Sequence, residues 1–320
     1  MDPAPPTIGS LIVEGERALA AAGIAPARLE AEVLLARSLS VSRASLILDP
    51  RARVEDAPAS AYRAAVAKRA GRYPLQYITG IQEFYSLDFE VDARVLIPRS
   101  ETELIVDEVL RMARAEAEAP AAVRPSAPGA PSVPPAPGAS EVTGRGEGPL
   151  IVDVGTGSGC LAVTLAVRLP GCRVFASDVS EGALAVAARN AARHGVSARI
   201  RFARGDGLAP ARDAGLAGRA DVLVSNPPYI DEADLAGLQP ELAFEPRGAL
   251  TPGPDGLAFT ARLVADAAEI LAPGGRLLVE LGAGSAPAAR ALLDPALWDA
   301  IAVLPDAQGM DRVLSARRGS

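Results

Sequence analysis

Short apolar segments alternate with helical patterns throughout the second half of the chain, and this alternation restricts the possible folds more than any other feature. After residue 149 the apolar segments read LIVDVG, CRVFASD, IRFARGD, DVLVSN and RLLVELG. The segments between them, such as EGALAVAARNAARHG and FTARLVADAAEIL, have apolar residues at helical spacing. Strands that alternate with helices form a parallel sheet with helices on both faces. We therefore predict a doubly wound α/β domain, in which WDAIAVLPD and DRVLSARR form a final pair of strands.

The N-terminal part of the chain follows a different pattern. Residues 7–71 show no strand-like alternation, and segments such as LIVEGERALAAAG and PARLEAEVLLARSL have apolar residues at helical spacing, interrupted by Gly or Pro. These features predict a small helical domain over residues 1–72.

Residues 73–100 are rich in aromatic and β-branched side chains, which favour strands, and the pattern predicts a hairpin around residues 86–88. A helical pattern resumes at SETELIVDEVL, where Ser100 and Glu103 have the spacing of a capping box. We therefore predict a hairpin connector over residues 73–100, followed by the α/β domain over residues 101–320.

A segment rich in Ala, Pro, Gly and Ser interrupts the α/β domain, with seven prolines between positions 120 and 137. A segment of this composition buries too little apolar surface to compensate for the entropy lost on ordering. We predict a flexible insert over residues 115–148, which is either a solvated linker or a proline-rich segment that binds a partner.

The composition argues against several classes of protein. The 320 residues carry a formal net charge of −7 and contain no long basic run, which disfavours a large nucleic-acid-binding surface. Cys160 and Cys172 are the only cysteines, and they fit neither a disulfide framework nor a thiolate zinc site. The N terminus lacks the features of a signal peptide, and the most apolar stretch, residues 150–169, contains Asp153 and three glycines. We expect a cytoplasmic protein.

His194 is the only histidine of the chain. A Ser-His-Asp triad or a histidine-bound metal would have to use this residue. It follows AVAARNAAR and precedes Gly195, a position typical of a histidine in the last turn of a helix. The sequence therefore argues against hydrolytic triads, and we expect no metal cofactor.

A glycine-rich segment, which we call the glycine loop, follows the first strand of the α/β domain. Its residues are Gly155, Thr156, Gly157, Ser158 and Gly159. Ligands of doubly wound sheets bind where the carboxyl ends of strands meet helix N termini, and glycines allow close approach of the backbone. The third glycine of a dinucleotide-binding GxGxxG motif would fall on Cys160. The loop therefore favours a nucleoside with a small charged tail over a dinucleotide.

Acidic residues follow the next two strands. Asp178 can accept both hydrogen bonds of a ribose diol, or it can cap the next helix, a role for which Ser180 is better placed. Asp206 can accept a hydrogen bond from an adenine amino group, although Asp206-Gly207 is also typical of a plain turn. With the glycine loop, these residues predict a nucleoside site.

The fourth strand ends in SNPPYI, where Asn226 is followed by two prolines. An amide nitrogen is a poor nucleophile because its lone pair is delocalised. The Asn226 side-chain oxygen and the Pro227 carbonyl, which Pro228 restricts, can accept both hydrogens of a substrate amide. Tyr229 offers a flat face for stacking. We predict that Asn226, Pro227 and Tyr229 are catalytic and that Pro228 also contacts the substrate; the alternative is that Asn-Pro-Pro only ends the strand.

The motifs DVGTGSG, SDVS, GDG and SNPPYI together resemble those of class I S-adenosylmethionine-dependent methyltransferases that act on planar nitrogens. The upstream segment PLQYITGIQEFYSLDFEVDARVLIPRSETELIVDEVL, with ELAFEPRGAL, PDGL and GMDRVLSARR, is similar to the release-factor glutamine methyltransferases. The likeness extends over residues 73–112 and 150–317. It implies a mostly parallel seven-stranded sheet, joined through a β-hairpin to an all-helical N-terminal domain that recognises the substrate.

The same resemblance implies an activity and its site. The activity is methyl transfer from S-adenosylmethionine to N5 of the glutamine in the Gly-Gly-Gln motif of class 1 peptide-chain release factors. The cofactor positions are the glycine loop, Asp178 and Asn226, and residues 226–229 form the glutamine pocket. The loop of Arg99, Glu101 and Thr102 lies near that pocket. Methyl transfer from a sulfonium needs alignment more than a strong base, which suits a chain with one histidine.

The chain departs from the pattern of that family in three places. Ser100 replaces a usual proline, which changes loop stiffness or helix capping. Gly207 replaces a residue that is often bulky and could cover the adenine, which a glycine cannot do. The insert before Leu150 is longer than the usual connection.

Other functions are compatible with the same motifs. An enzyme that methylates a glutamine of a ribosomal protein shares both SNPPYI and the upstream segment. Adenine N6 of DNA or RNA also fits such a pocket, although a base-flipping enzyme is expected to carry a basic face or a recognition domain. A protein that only binds nucleosides or partners would leave Asn226 without a role. We expect release factors as partners, and no direct contact with nucleic acid or membranes.

Overall fold

The computed structural model describes residues 5–118 and 148–319, and these form two compact units. The first unit extends to Gln82 and takes in Val91–Ala93 and Gly237–Glu245, and the second contains the other described residues. This division differs from the predicted domain boundaries after residues 72 and 100, which stay predictions. No helix in the described ranges is long and apolar enough to span a membrane.

The first unit is helical, as the spacing of its apolar residues predicts. The Thr7 hydroxyl accepts a hydrogen bond from the Ser10 N–H at 3.2 Å and caps the first helix. Leu11, Leu35 and Tyr62 are completely buried in the core between the helices. The helices are α1 (Ile8–Ala21), α2 (Ala27–Leu39), α3 (Arg43–Leu48), α4 (Asp56–Ala70) and α5 (Leu75–Thr79).

The predicted hairpin is present as β1 (Ile81–Phe84) and β2 (Leu87–Glu90), which pair with each other. Tyr85 and Ser86 form its turn with φ angles of 54° and 60°. Two successive residues with positive φ are typical of a tight hairpin turn whose twist matches that of the strands.

The predicted capping box is wrong. Ser100–Thr102 forms a short 3₁₀ turn, and the α-helix α6 (Glu103–Glu118) begins only after it. Because this turn moves the start of α6 past Ser100, that hydroxyl contacts Glu101 at 3.1 Å instead of a backbone N–H. The Glu103 carboxylate accepts the Tyr85 N–H at 2.8 Å and so holds the hairpin turn. α6 runs into the predicted insert, of which residues 119–147 lie outside the described residues.

Among the described residues, seven strands form one sheet in the order β5-β4-β3-β6-β7-β9-β8. β3 to β7 are parallel, and β8 and β9, which the sequence predicts as a final pair of strands, pair with each other in antiparallel orientation. The strands are β3 (Leu150–Val154), β4 (Arg173–Asp178), β5 (Ile200–Arg204), β6 (Ala220–Ser225), β7 (Leu271–Glu280), β8 (Trp298–Pro305) and β9 (Asp311–Arg318).

Helices cover both faces of this sheet, so alternate side chains of a strand enter different cores. Ile151 and Val152 of β3, for example, belong to separate apolar clusters. Besides α6, the helices of this unit are α7 (Cys160–Arg168), α8 (Glu181–Arg193), α9 (Ala209–Asp213), α10 (Arg247–Leu250), α11 (Ala258–Ile270) and α12 (Ala286–Ala291). Because β4 and β6 lie on opposite sides of β3, the winding reverses there, and ligands of such sheets bind at this reversal.

Asn190 of α8 joins the hairpin to the glycine loop. Its side chain is completely buried. Its Nδ2 donates to the carbonyls of Ser158 and Glu90 at 2.8 and 3.0 Å, and its Oδ1 accepts the Glu90 N–H at 2.7 Å. Three backbone groups therefore obtain a partner from one side chain.

We expect Asn190→Leu, which keeps the branched shape of the side chain but removes these hydrogen bonds, to lower the free energy of unfolding by about 3 kcal/mol or more, since each unpaired buried group costs about 1–3 kcal/mol. Denaturant titration measures this change. Ala188→Leu, at an exposed position of the same helix, is the control and should stay within about 0.5 kcal/mol of the unsubstituted protein. Equal stability of the two variants would contradict the role of Asn190.

Candidate active site

A cavity of about 770 Å³ lies in the second unit at the carboxyl ends of the parallel strands. It brings together most of the predicted site residues. Those in its wall are Gly155, Thr156, Gly157, Ser158, Asp178, Asp206, Gly207, Asn226, Pro227 and Pro228. The described wall does not include Gly159 and Tyr229, nor Arg99 and Glu101 of the loop that the resemblance places near the pocket. The ligand-binding roles of all these residues stay predictions.

Backbone hydrogen bonds and close packing on α8 hold the glycine loop in place. The N–H groups of Gly155 and Thr156 both donate to the Ser177 carbonyl of β4 at 2.9 Å. Gly159 has a φ of 80°, and a Cβ at this residue would lie 3.0 Å from the Cβ of Ala187 on α8. Gly159 is therefore required for close packing of the loop on α8.

Asp178 supports the loop as well as lining the cavity. Its Oδ2 accepts the Gly157 N–H and its Oδ1 accepts the Ser180 N–H, both at 2.9 Å. The Ser180 hydroxyl caps α8 by accepting the Ala183 N–H at 3.1 Å, as the sequence predicts. Each carboxylate oxygen has a second lone pair, so Asp178 can still accept a hydrogen bond from a ligand.

Asp153 places a buried carboxyl group beside the cavity. Its Oδ2 accepts the Thr156 hydroxyl at 2.6 Å, whereas its Oδ1 has no hydrogen-bond partner in the described part of the chain. Burial raises the pKa of this carboxyl group from 3.8 to about 7. An unpaired buried acceptor of this kind suits a ligand with a cationic or N–H group.

Asp206 forms a bidentate ion pair with Arg262, which the sequence does not predict. Its oxygens accept two guanidinium N–H groups of Arg262 at 2.8 and 3.0 Å, and this contact lowers the pKa of the carboxyl group. The Arg262 guanidinium lies 5.2 Å from the ring centre of Phe259. Phe259 and Arg262 are three residues apart on α11, which places them on one helix face, and both line the cavity.

Asn226 is the end of a chain of side-chain hydrogen bonds. Its Nδ2 donates to Thr102 Oγ1 at 3.0 Å, and the Thr102 hydroxyl donates to Glu280 Oε2 at 2.5 Å. The Tyr229 hydroxyl donates to the other oxygen of Glu280 at 3.2 Å. Because Nδ2 is engaged by Thr102, Oδ1 is the end of the Asn226 amide that is left for a ligand. Thr102 also lines the cavity, as the resemblance implies for its loop.

In the described ranges, no group of three or more His, Cys, Asp and Glu side chains is arranged to hold a metal ion. The arrangement instead offers backbone and carboxylate groups along one side of the cavity and the Asn226 amide on another. Such a site can form hydrogen bonds with a polar ligand beside the Asn226 side chain.

Comparison with known proteins identifies the family of the chain. The model of the PrmC N-terminal domain matches residues 10–80, and the model of the methyltransferase small domain matches residues 143–253. The release factor glutamine methyltransferase of Moorella thermoacetica is 42% identical over 98% of this chain and 99% of its own length. The chain belongs to the release factor glutamine methyltransferase family.

A second release factor glutamine methyltransferase, from Chlorobaculum tepidum, is 43% identical over 90% of this chain and 89% of its own length. Among solved structures, the hMettl16 catalytic domain in complex with the MAT2A 3′UTR hairpin 6 has a TM-score of 0.51 at 15% identity, over 80% of this chain and 81% of that chain. At this identity the likeness concerns the fold alone, and it agrees with the doubly wound sheet of this methyltransferase.

The raised pKa of Asp153 makes the stability of this methyltransferase depend on pH. The protonated form is favoured in the folded state, so the stabilisation is complete below the ordinary pKa of 3.8 and is lost as the pH rises through about 7. We expect the unfolding free energy of the unsubstituted protein to fall relative to Asp153→Asn by roughly 1 kcal/mol per pH unit between pH 5 and 7.

Denaturant titration at several pH values measures this difference. Asp299→Asn is the control. Arg317 lowers the pKa of the exposed Asp299, so any effect of Asp299 ionisation on stability falls at a more acidic pH. A constant difference between the unsubstituted protein and Asp153→Asn from pH 5 to 7 would show that Asp153 is ionised throughout.

Proposed function

We propose that this protein transfers the methyl group of S-adenosylmethionine to N5 of the glutamine in the Gly-Gly-Gln motif of class 1 peptide-chain release factors. The observation that carries the proposal is the Asn226 amide, held through Nδ2 by Thr102 at 3.0 Å and left with Oδ1 as an acceptor at the cavity. The names of the relatives supply the substrate class, since they are release factor glutamine methyltransferases.

The residues beside the cavity fit the proposed cofactor. The unpaired Oδ1 of Asp153 and the carboxylate of Asp178 can accept hydrogen bonds from an ammonium group and a ribose. The glycine loop lets the backbone approach the ligand closely. When bound, S-adenosylmethionine supplies an electrophilic methyl group on a sulfonium.

The protein prepares the glutamine amide by holding its hydrogens. Asn226 Oδ1 and the Pro227 carbonyl accept one hydrogen each, which fixes the plane of the amide and favours attack from one face of its nitrogen. Transfer would form a bond between this nitrogen and the methyl carbon as the sulfur–carbon bond breaks, and the nitrogen would lose one hydrogen as a proton to water. Alignment provides the rate enhancement, so a strongly basic side chain is not needed.

Phe259 is the side chain best placed to cover the adenine, because Gly207 has no side chain and both residues line the cavity. Stacking of a base on an aromatic ring contributes about 1–3 kcal/mol. We therefore expect Phe259→Ala to weaken binding of S-adenosylmethionine roughly tenfold in a calorimetric titration. Phe244→Ala, in the first unit, is the aromatic control and should leave the affinity unchanged. Unchanged affinity in Phe259→Ala would mean that another group covers the adenine.

The substrate is tested by incubating the purified protein with methyl-labelled S-adenosylmethionine and, separately, a class 1 release factor, ribosomal particles and DNA. We expect label in the release factor, located at the Gly-Gly-Gln glutamine by mass spectrometry. A release factor with this glutamine replaced by alanine should stay unlabelled. Label that enters a ribosomal protein or nucleic acid but not the release factor would contradict the proposal.

Asn226→Ala is the matched variant for the amide-binding step. We expect methyl transfer to fall at least roughly 10²-fold, as when one preorganised hydrogen-bonding group is lost from an active site. Binding of S-adenosylmethionine should change little, because the carboxylates and the glycine loop are intact. A transfer rate close to that of the unsubstituted protein would eliminate the role of Asn226.

A further inference from the structure

Glu280, the last residue of β7, is a buried carboxylate that the methyl transfer described above does not use. Only 1% of the residue is exposed, and its two oxygens accept hydrogen bonds from two different parts of the chain. One oxygen is bound to Thr102, which follows the hairpin connector, and the other is bound to Tyr229 of SNPPYI. Burial of a carboxylate costs folding free energy, so we expect this one to have a role that explains its presence.

The ionised form of Glu280 fixes the direction of the hydrogen-bond chain. A carboxylate can only accept, so the single hydroxyl proton of Thr102 must point to Glu280. Thr102 Oγ1 can then only accept from the side chain on its other side, which requires the Nδ2 end of Asn226. The Oδ1 end of the amide is thereby left for the cavity.

Protonated Glu280 permits the opposite direction. An Oε2–H group would donate to Thr102, whose own proton would then be free to point to Asn226. The amide would turn over to present Oδ1 to Thr102, and Nδ2 would face the substrate. The N–H group of Asn226 would then face an N–H group of the substrate amide, which requires an acceptor at this point. The substrate amide would lose one of its two hydrogen bonds.

We propose that Glu280 is a positioning residue, which in its ionised form acts through Thr102 to aim the Asn226 oxygen at the substrate amide and at the same time holds Tyr229. This inference rests on the proposed function, because it concerns the acceptor that binds the glutamine. Glu280 itself does not touch the substrate.

Burial and the neighbouring groups bring the pKa of the Glu280 carboxyl group near neutral pH. Burial raises the pKa of Glu280 from 4.5 to about 7. The hydrogen bonds from Thr102 and Tyr229 and the charge of Arg312 on β9 oppose this rise, whereas Glu101 adds to it. Burial also raises the pKa of the nearby Tyr229 hydroxyl and of the Cys160 thiol, so both stay neutral in this range.

The test measures kcat for methylation of the release-factor glutamine from pH 5.5 to 8.5. Since the ionised form is the active one, we expect kcat of the unsubstituted protein to fall about tenfold per pH unit below pH 7. Glu280→Gln lacks this carboxyl group, so its kcat at saturating S-adenosylmethionine should be at least about tenfold lower at pH 8 and should depend on pH much less steeply than that of the unsubstituted protein. Its affinity for S-adenosylmethionine should be unchanged.

Thr102→Val and Thr102→Ser provide a second, independent pair of variants. Valine keeps the shape of threonine but removes the hydroxyl group, so we expect a loss of kcat like that of Glu280→Gln. Serine keeps the hydroxyl group and should restore the rate and its pH dependence. Glu269→Gln, at an exposed surface carboxylate paired with Arg212, is the control and should behave as the unsubstituted protein.

The outcomes separate this inference from the proposed function. If the unsubstituted protein methylates the release factor but Glu280→Gln and Thr102→Val keep its rate and its pH profile, the positioning role is wrong and the proposed function stands. If both variants lose rate but keep the pH profile, the carboxylate does not set the direction of the chain and the inference is also wrong. If the unsubstituted protein does not methylate the release-factor glutamine at any pH, both ideas fail.

Discussion

The three hydrogen bonds of the buried Asn190 are the contact on which the geometry of the candidate site depends. They fix the Ser158 carbonyl of the glycine loop to α8, and they fix the Glu90 backbone of the hairpin to the same helix. The close approach of Gly159 to Ala187 acts in the same direction. The loop therefore has its shape before a ligand enters, so little of the binding free energy is lost in ordering it.

Much of the fold could be predicted because its signals are local. The period of the apolar residues identified the helices of the first unit and the strands of the sheet, and five parallel strands followed by an antiparallel pair is the arrangement found. The start of α6 could not be predicted in this way. Ser100 and Glu103 have the spacing of a capping box, but a 3₁₀ turn intervenes and the carboxylate binds the Tyr85 N–H, a contact that depends on where the hairpin lies.

The same distinction applies to the site. Asp178, Asp206 and Asn226 were predictable as neighbours because parallel strands end at one edge of a sheet. The hydrogen-bond partners of these residues were not predictable, because each partner comes from a distant part of the chain. Thr102 and Glu280 are 178 positions apart, and Arg262 is 56 positions from Asp206. Such pairs leave no periodic signal, although the resemblance to a family did indicate the loop that contains Thr102.

The order of residues in SNPPYI also affects the chemical durability of the site. Asparagine side chains in proteins convert slowly to aspartate when the backbone nitrogen of the next residue attacks the side-chain amide. The residue after Asn226 is Pro227, whose nitrogen carries no hydrogen and is not available for this attack. Besides the acceptor role proposed for its carbonyl, Pro227 therefore protects the Asn226 side chain from conversion to aspartate. An aspartate at this position would carry a negative charge in place of the amide that Thr102 holds.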